Sequence, residues 1–374
     1  MRLPVPQSAD LGPIRDSGSV FARSNALALC VVLLFTPLSD QAKLAFSQEA
    51  ATSSAPESPL EKAEELLKRG KPREALSSLT TIAEKHPETP GLEEKLGKGY
   101  FQLGDFSQAT AHLQKARRQD PADLETSQLL ALSFYASGNC HDALPLLEKL
   151  GTQLPKNYPS APYLLSICYI KGDQLDSARK SLAQMFSVPL ESSMAYLMLG
   201  KLLVGQQRVD AAVPQIKKAL EIEPRLVMAH FLLGEIRLYQ SNPEDAATEF
   251  GKELSVNPTL WLVYWRLGDA YVRLGRYDEA EKVLKEAIWM NDSSADAIVL
   301  LGEIALKKND PALASGFLER ALSLDPQNLD AHEKLAAAYK QLGRDSDASH
   351  ELETARRLRS EKRAGGNDPL QLTP

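Results

Sequence analysis

Only three cysteines, Cys30, Cys140 and Cys168, stand among the 374 residues. That scarcity excludes a disulfide-dense scaffold, and the lack of any CxxC pair removes a zinc ribbon or a dithiol redox motif. No GxxxxGK[ST], GxGxxG, HExxH or GxSxG occurs. A phosphate-cradling loop, a dinucleotide fingerprint, a zinc-protease helix and a nucleophile elbow therefore have no footing here. The chain also lacks a basic excess: 43 Lys and Arg face 49 Asp and Glu, a net charge of -6. A binder that tracks phosphates needs a basic face, so no nucleic-acid partner is expected. No metal ligand set, cofactor or catalytic residue is expected either. The six histidines, His86, His112, His141, His230, His332 and His350, are scattered, and a packing role is expected for His230 and His332.

An uncharged run extends from Ser24 to Ser39, after Arg2, Arg15 and Arg23. Its apolar heart, Ala26 to Phe35, has the length of a signal-peptide core and is short for a membrane span. Ala45-Phe46-Ser47 places small residues as a cleavage site requires. Residues 1–47 are thus expected to be a cleaved signal, which places the protein outside the cytoplasm, in the periplasm or an equivalent space. An uncleaved anchor is the alternative, and the membrane enters only through that segment. Cys30 sits inside the apolar run behind Leu29, a poor fit to a lipoprotein signal. Residues 48–58 are small and polar and read as a flexible linker.

What the chain has in abundance is order. Ala75, Ala109, Ala143, Ala178, Ala212, Ala246, Ala280, Ala314 and Ala348 recur at 34-residue steps, with one step of 35. Twelve residues before each stands Gly, Ala or Ser: Ala63, Gly97, Ala131, Ser166, Gly200, Gly234, Gly268, Gly302 and Ala336. A fixed period of this length marks a stacked repeat. Within the unit that starts at Pro90, Leu96, Gly97, Tyr100 and Leu103 share one helical face. Gly104-Asp105 marks a turn, Ala109, Leu113 and Ala116 form a second stripe, and Pro121 stops it. Each unit is a helix–turn–helix hairpin, and Gly97 and Ala109 are small because its helices cross closely. Near Tyr158 one extra residue interrupts the beat, and Pro162 and Gly172 suggest a local irregularity there.

The unit at Trp261 carries Tyr264, Leu267, Gly268, Tyr271, Ala280, Leu284 and Ala287 in phase. In this the chain resembles the tetratricopeptide repeat family. The resemblance implies an all-α, right-handed α-solenoid of about nine stacked hairpins. They fall near 56–89, 90–123, 124–157, 159–192, 193–226, 227–260, 261–294, 295–328 and 329–362, an array over 59–362. Residues 363–374 are expected to form a disordered tail.

The resemblance also implies that first helices line a concave groove that holds protein or peptide partners. Carried over by repeat position, the groove takes Tyr135, Tyr163, Ile167, Met194, Leu197, Lys201, Met228, Phe231, Glu235, Tyr239, Trp265, Asp269 and Arg273. Its middle is apolar and aromatic, the kind of surface that marks an interaction site. The opposite expectation is that several of these side chains pack between repeats and are covered. The Asn of a family clamp for C-terminal carboxylates is missing at position 9 of every repeat. Cys140 and Cys168 fall at positions 17 and 10 of consecutive repeats. Two buried thiols are the preferred reading, and a bridge needs their Cα atoms within about 7 Å.

These readings converge on an exported, non-enzymatic scaffold or adaptor, in envelope, pilus or secretion assembly. The alternatives are a membrane-tethered cytoplasmic adaptor and, from another class, a carbohydrate-binding protein or an enzyme.

Overall fold

A computed structural model describes residues 58–153 and 160–365. The leader, most of the linker, the point of the extra residue at Tyr158 and residues 366–374 lie outside the described residues. Eighteen α-helices and no strand occupy what is described, as nine hairpins. The pairs are α1 (Pro59–Lys68) with α2 (Pro72–Lys85), α3 (Leu92–Leu103) with α4 (Phe106–Gln119), and α5 (Leu124–Ala136) with α6 (Cys140–Gln153). Next come α7 (Ser160–Lys171) with α8 (Leu175–Met185), α9 (Ser193–Gly205) with α10 (Val209–Ile222), and α11 (Ala229–Tyr239) with α12 (Pro243–Val256). The last are α13 (Trp261–Arg273) with α14 (Tyr277–Met290), α15 (Ala295–Lys307) with α16 (Pro311–Leu324), and α17 (Leu329–Gln341) with α18 (Asp345–Gly365). The chain divides into two compact units, one ending at Ala229 and one running from His230 to Arg363.

Local chemistry sets each hairpin. Ser58 and Glu61 form a reciprocal capping box at the start of α1, and Asp105, Asp123, Asn242, Asp310 and Asn328 cap later helices by accepting backbone N–H groups. Pro59, Pro72, Pro243 and Pro311 sit at first helical positions, where no N–H is missed. At position 15 of all nine repeats the chain turns through the left-handed region. Gly70, Gly104, Gly138, Gly275 and Gly343 take this turn in five repeats, and Asp173, Gln207, Ser241 and Asn309 take it with φ of 58–59° in the other four. Reading the turn from glycine alone therefore finds only part of it. Despite Pro162, α7 runs unbroken, because proline is tolerated in a first turn.

The hairpins close on a knob and a notch. A Cβ added to Gly97, Gly200, Gly234, Gly268 or Gly302 would lie 2.5–2.6 Å from Leu113, Ile216, Phe250, Leu284 or Leu318. The large side chain at position 24 thus fills the space left by glycine at position 8. The partner of Gly97 is Leu113 rather than Ala109. The periodic alanines are buried in their own right, Ala75 through Ala314 at 0% exposure.

Between hairpins, the core of the carboxy-terminal unit includes Trp265, Leu284, Ala287, Ala297 and Leu301, contributed by α13, α14 and α15. In the amino-terminal unit Ala63, Leu76, Leu79, Leu92 and Leu96 do the same for α1, α2 and α3. First helices also meet directly, α1 with α3 and α3 with α5, α13 with α15 and α15 with α17. Each unit thereby carries a row of first helices, and its second helices make no comparable approach to one another.

Two departures from the repeat pattern have structural answers. Cys140 and Cys168 are joined as a disulfide, with Cα atoms 5.1 Å apart, where two free buried thiols were the preferred expectation. The hairpin geometry brings the start of α6 level with the end of α7, which is the proximity a bridge needs. Glu253 replaces a small residue at position 27 and is fully buried. Its carboxylate accepts the Phe231 N–H at 3.1 Å, in the first turn of α11.

Candidate functional site

In the amino-terminal unit the candidate surface is built by α5, α7 and α9. Tyr135 is buried, and the Lys171 ammonium lies 5.8 Å from its ring centroid. Burial pushes the Tyr135 hydroxyl well above its ordinary range, and neighbouring Tyr163 adds to this. Tyr163 is raised by burial as well. Ile167 and Leu197 are enclosed among the repeats. Tyr163 and Met194 are half-buried, and Lys171 and Lys201 are exposed. Met228, half-buried, precedes α11 in a left-handed conformation, φ 73°. On α3, burial lifts the Glu94 carboxyl above its usual range.

In the carboxy-terminal unit the row divides into covered and open residues. Phe231 is 1% exposed and packs on Phe250, with ring centroids 5.7 Å apart. Trp265 is 6% exposed, stacked near Trp261 with the Arg266 guanidinium 5.0 Å from its centroid. Both rings serve the packing between helices and offer a partner little. Tyr239, at 50%, and Arg273 are open.

Charge fills the space between these positions. Arg266 is buried and grips Glu235 with two guanidinium N–H groups, the Nε–Oε1 bond being 2.5 Å. It also lies 3.4 Å from Asp269, which Arg273 holds at 2.8 Å. Two further pairs share the Arg266–Glu235 pattern. Lys334 meets Glu303 at 2.9 Å, and Lys95 in the other unit meets Glu64 at 2.9 Å. Each joins a cation at position 6 of one repeat to a carboxylate at position 9 of the repeat before it, 31 residues earlier. Repeat-by-repeat phasing missed these cations, because it scored each hairpin alone. A search for a cation 31 residues after a position-9 acid would have found them. It also missed Trp289, on α14, which is 81% exposed.

Glu235 and Asp269, expected to face a partner, are therefore engaged within the row. Of the thirteen residues, Tyr135, Ile167, Leu197, Phe231 and Trp265 are buried. Tyr163 and Met194 are half-buried and Lys201 is exposed in one unit, and Tyr239 and Arg273 are exposed in the other.

Three histidines pair with a glutamate inside their own hairpin. His112 meets Glu93 at 2.6 Å, His230 meets Glu249 at 2.6 Å, and His332 meets Glu351 at 2.5 Å. All three pairs link positions 4 and 23 of one hairpin, and the first carries its His and Glu in exchanged places. No group of three or more His, Cys, Asp or Glu able to hold a metal occurs among the described residues. No described helix is long and apolar enough to cross a membrane.

The solved structures similar to this chain include the crystal structure of MamA, 24% identical over 44% of this chain and 96% of that one, TM-score 0.40. MamA 41-end from Desulfovibrio magneticus RS-1 is 18% identical over 45% and 96%, TM-score 0.42. YrrB, described as a TPR protein with an unusual peptide-binding site, is 19% identical over 49% and 93%, TM-score 0.40. No curated protein matches. Family models described as Tetratricopeptide repeat match residues 197–258 and 265–328, and again 66–132 and 305–362. With nine hairpins built on the same small-residue phase, the chain belongs to the tetratricopeptide repeat family.

Proposed function

We propose that this protein is a non-enzymatic scaffold that holds protein partners on its first-helix rows. The observation that supports this most is the division of each row into a packed layer and an open one. Buried Phe231, Trp265 and Ile167 fix the helices, while Tyr163 with Met194, and Tyr239 with Arg273, stay accessible. Aromatic, methionine and arginine side chains are the types that anchor protein interfaces. The partner chemistry that fits is a segment with apolar anchors and some acidic character, since Lys171 and Lys201 are exposed on the helices that carry Tyr163 and Met194, and Arg273 is exposed on α13. The leader supports a setting outside the cytoplasm, in envelope, pilus or secretion assembly.

The test is affinity capture with quantitative mass spectrometry on two variants, Tyr163→Ala with Met194→Ala, and Tyr239→Ala with Arg273→Glu. Loss of the same captured proteins from either variant, with an unchanged circular-dichroism melt, is the expected result. Full retention in both would overturn the reading. Fractionation with and without protease, together with the mass of the mature chain, decides between export and a tethered cytoplasmic array. Absence of residues 1–47 from that mass is expected.

A further inference from the structure

The junction between the third and fourth hairpins differs from the others in two ways. The alanine beat lengthens there, from Ala143 to Ala178, to 35 residues. And the contact between positions 17 and 10 is covalent. Elsewhere that contact level is occupied by pairs such as Phe106 and Ser133, Leu175 and Leu202, or Tyr277 and Ile304, none of which can bond. Here it is Cys140 at the start of α6 and Cys168 in α7, bonded with Cα atoms 5.1 Å apart.

We propose that the Cys140–Cys168 bond is a redox-set clamp that fixes the angle between the third and fourth hairpins, and with it the surface that Tyr135 and Tyr163 share. The clamp stands at the one junction whose spacing in the chain is irregular. Both cysteines are buried, Cys168 completely, so the formed bond is shielded from attack by small thiols. Its formation takes one proton and one electron from each thiol. The two electrons and two protons pass to an external disulfide, which leaves as a dithiol or as two thiols. Bonds of this kind persist in oxidising compartments. Reduction would free α7 to rock on α6, held by apolar contacts, by the Tyr169 hydroxyl on Glu148 at 2.6 Å, and by Lys171 over the Tyr135 ring. The clamp is independent of any partner.

The experiment uses the full chain purified in air with oxidised glutathione, then split into reduced and unreduced portions. Maleimide labelling after unfolding without reductant should leave Cys140 and Cys168 unmodified, located by peptide mass. Labelling of both, or a bond from either to Cys30, would overturn the assignment. Hydrogen–deuterium exchange then reads the clamp itself. Reduction should speed exchange in α6 and α7 by about tenfold or more, leave α15 and α16 unchanged, and have no effect in the Cys140→Ser, Cys168→Ser variant. Equal exchange in α6 and α7 before and after reduction would reject the clamp even if the bond forms.

Discussion

The buried carboxylate of Glu253 receives the backbone N–H of Phe231 at 3.1 Å, from one helix of a hairpin to the first turn of the other. Phe231 is the third residue of α11, so its N–H is one of the first-turn donors that find no partner within the helix. The carboxylate also stands at the positive end of the helix dipole. Substitution Glu253→Ala should destabilise the carboxy-terminal unit by roughly 1–3 kcal/mol, the cost of a buried donor left unmet. Although alanine is the family's usual residue at that position, urea unfolding should show the loss, and Glu253→Gln should recover part of it.

The notch at Gly234 makes a sharper prediction. A methyl there would meet Phe250 Cε1 at 2.5 Å, and overpacking of this kind costs roughly 1–3 kcal/mol. Gly251, on the neighbouring helix, has nothing within 4 Å of an added Cβ. Gly251→Ala should therefore be neutral or stabilising by up to about 1 kcal/mol through helix propensity. Thermal melts of the two variants should move in opposite directions, or at least separate by several degrees.

The grip of Arg266 on Glu235 yields a test of which role Glu235 has. Both side chains are nearly enclosed. Removing one partner, as in Arg266→Met, should cost about 3 kcal/mol because a carboxylate is left buried and unpaired. The double variant Arg266→Met with Glu235→Leu should regain much of that loss, which chemical denaturation can measure. If Glu235 faced a partner instead, the second change would restore nothing.

Acid offers a separate handle at the amino-terminal end. The Lys68 hydrogen bond, with Lys95 next, holds the Glu64 carboxyl down at about 2 from an ordinary 4.5. A depressed carboxylate stabilises the fold above its unfolded pKa, and that contribution disappears as pH falls through the folded value. The gap between the native chain and Glu64→Gln should be open at pH 6, narrow from about pH 4.5 and close near pH 2. Because Glu64 is partly exposed, the gap at pH 6 should be under about 1 kcal/mol. Urea midpoints across that range would follow it.

How much of this was legible beforehand depends on how locally each feature is written. The notch at Gly97 or Gly268 is legible because a close crossing admits only one residue size, wherever it falls in the chain. Turns at Asp173 and Asn309 were harder to see, since a non-glycine residue in the left-handed region carries no mark of its own. Phase assigns Phe231 to the inner row but says nothing of depth. A ring of that size reaches Phe250 across the hairpin, and that contact, not the position number, decides its burial. The position 6 to 9 ion pairs depend on the angle between successive first helices, which no single repeat encodes.

The principal helix contacts join elements adjacent in the chain or one element apart. Chains built this way have low contact order, and their folding does not wait for distant segments to find one another. Each hairpin can close within about 34 residues of chain. During synthesis or passage through a narrow pore, the segments that emerge first can bury their apolar stripes while the remainder is still unformed.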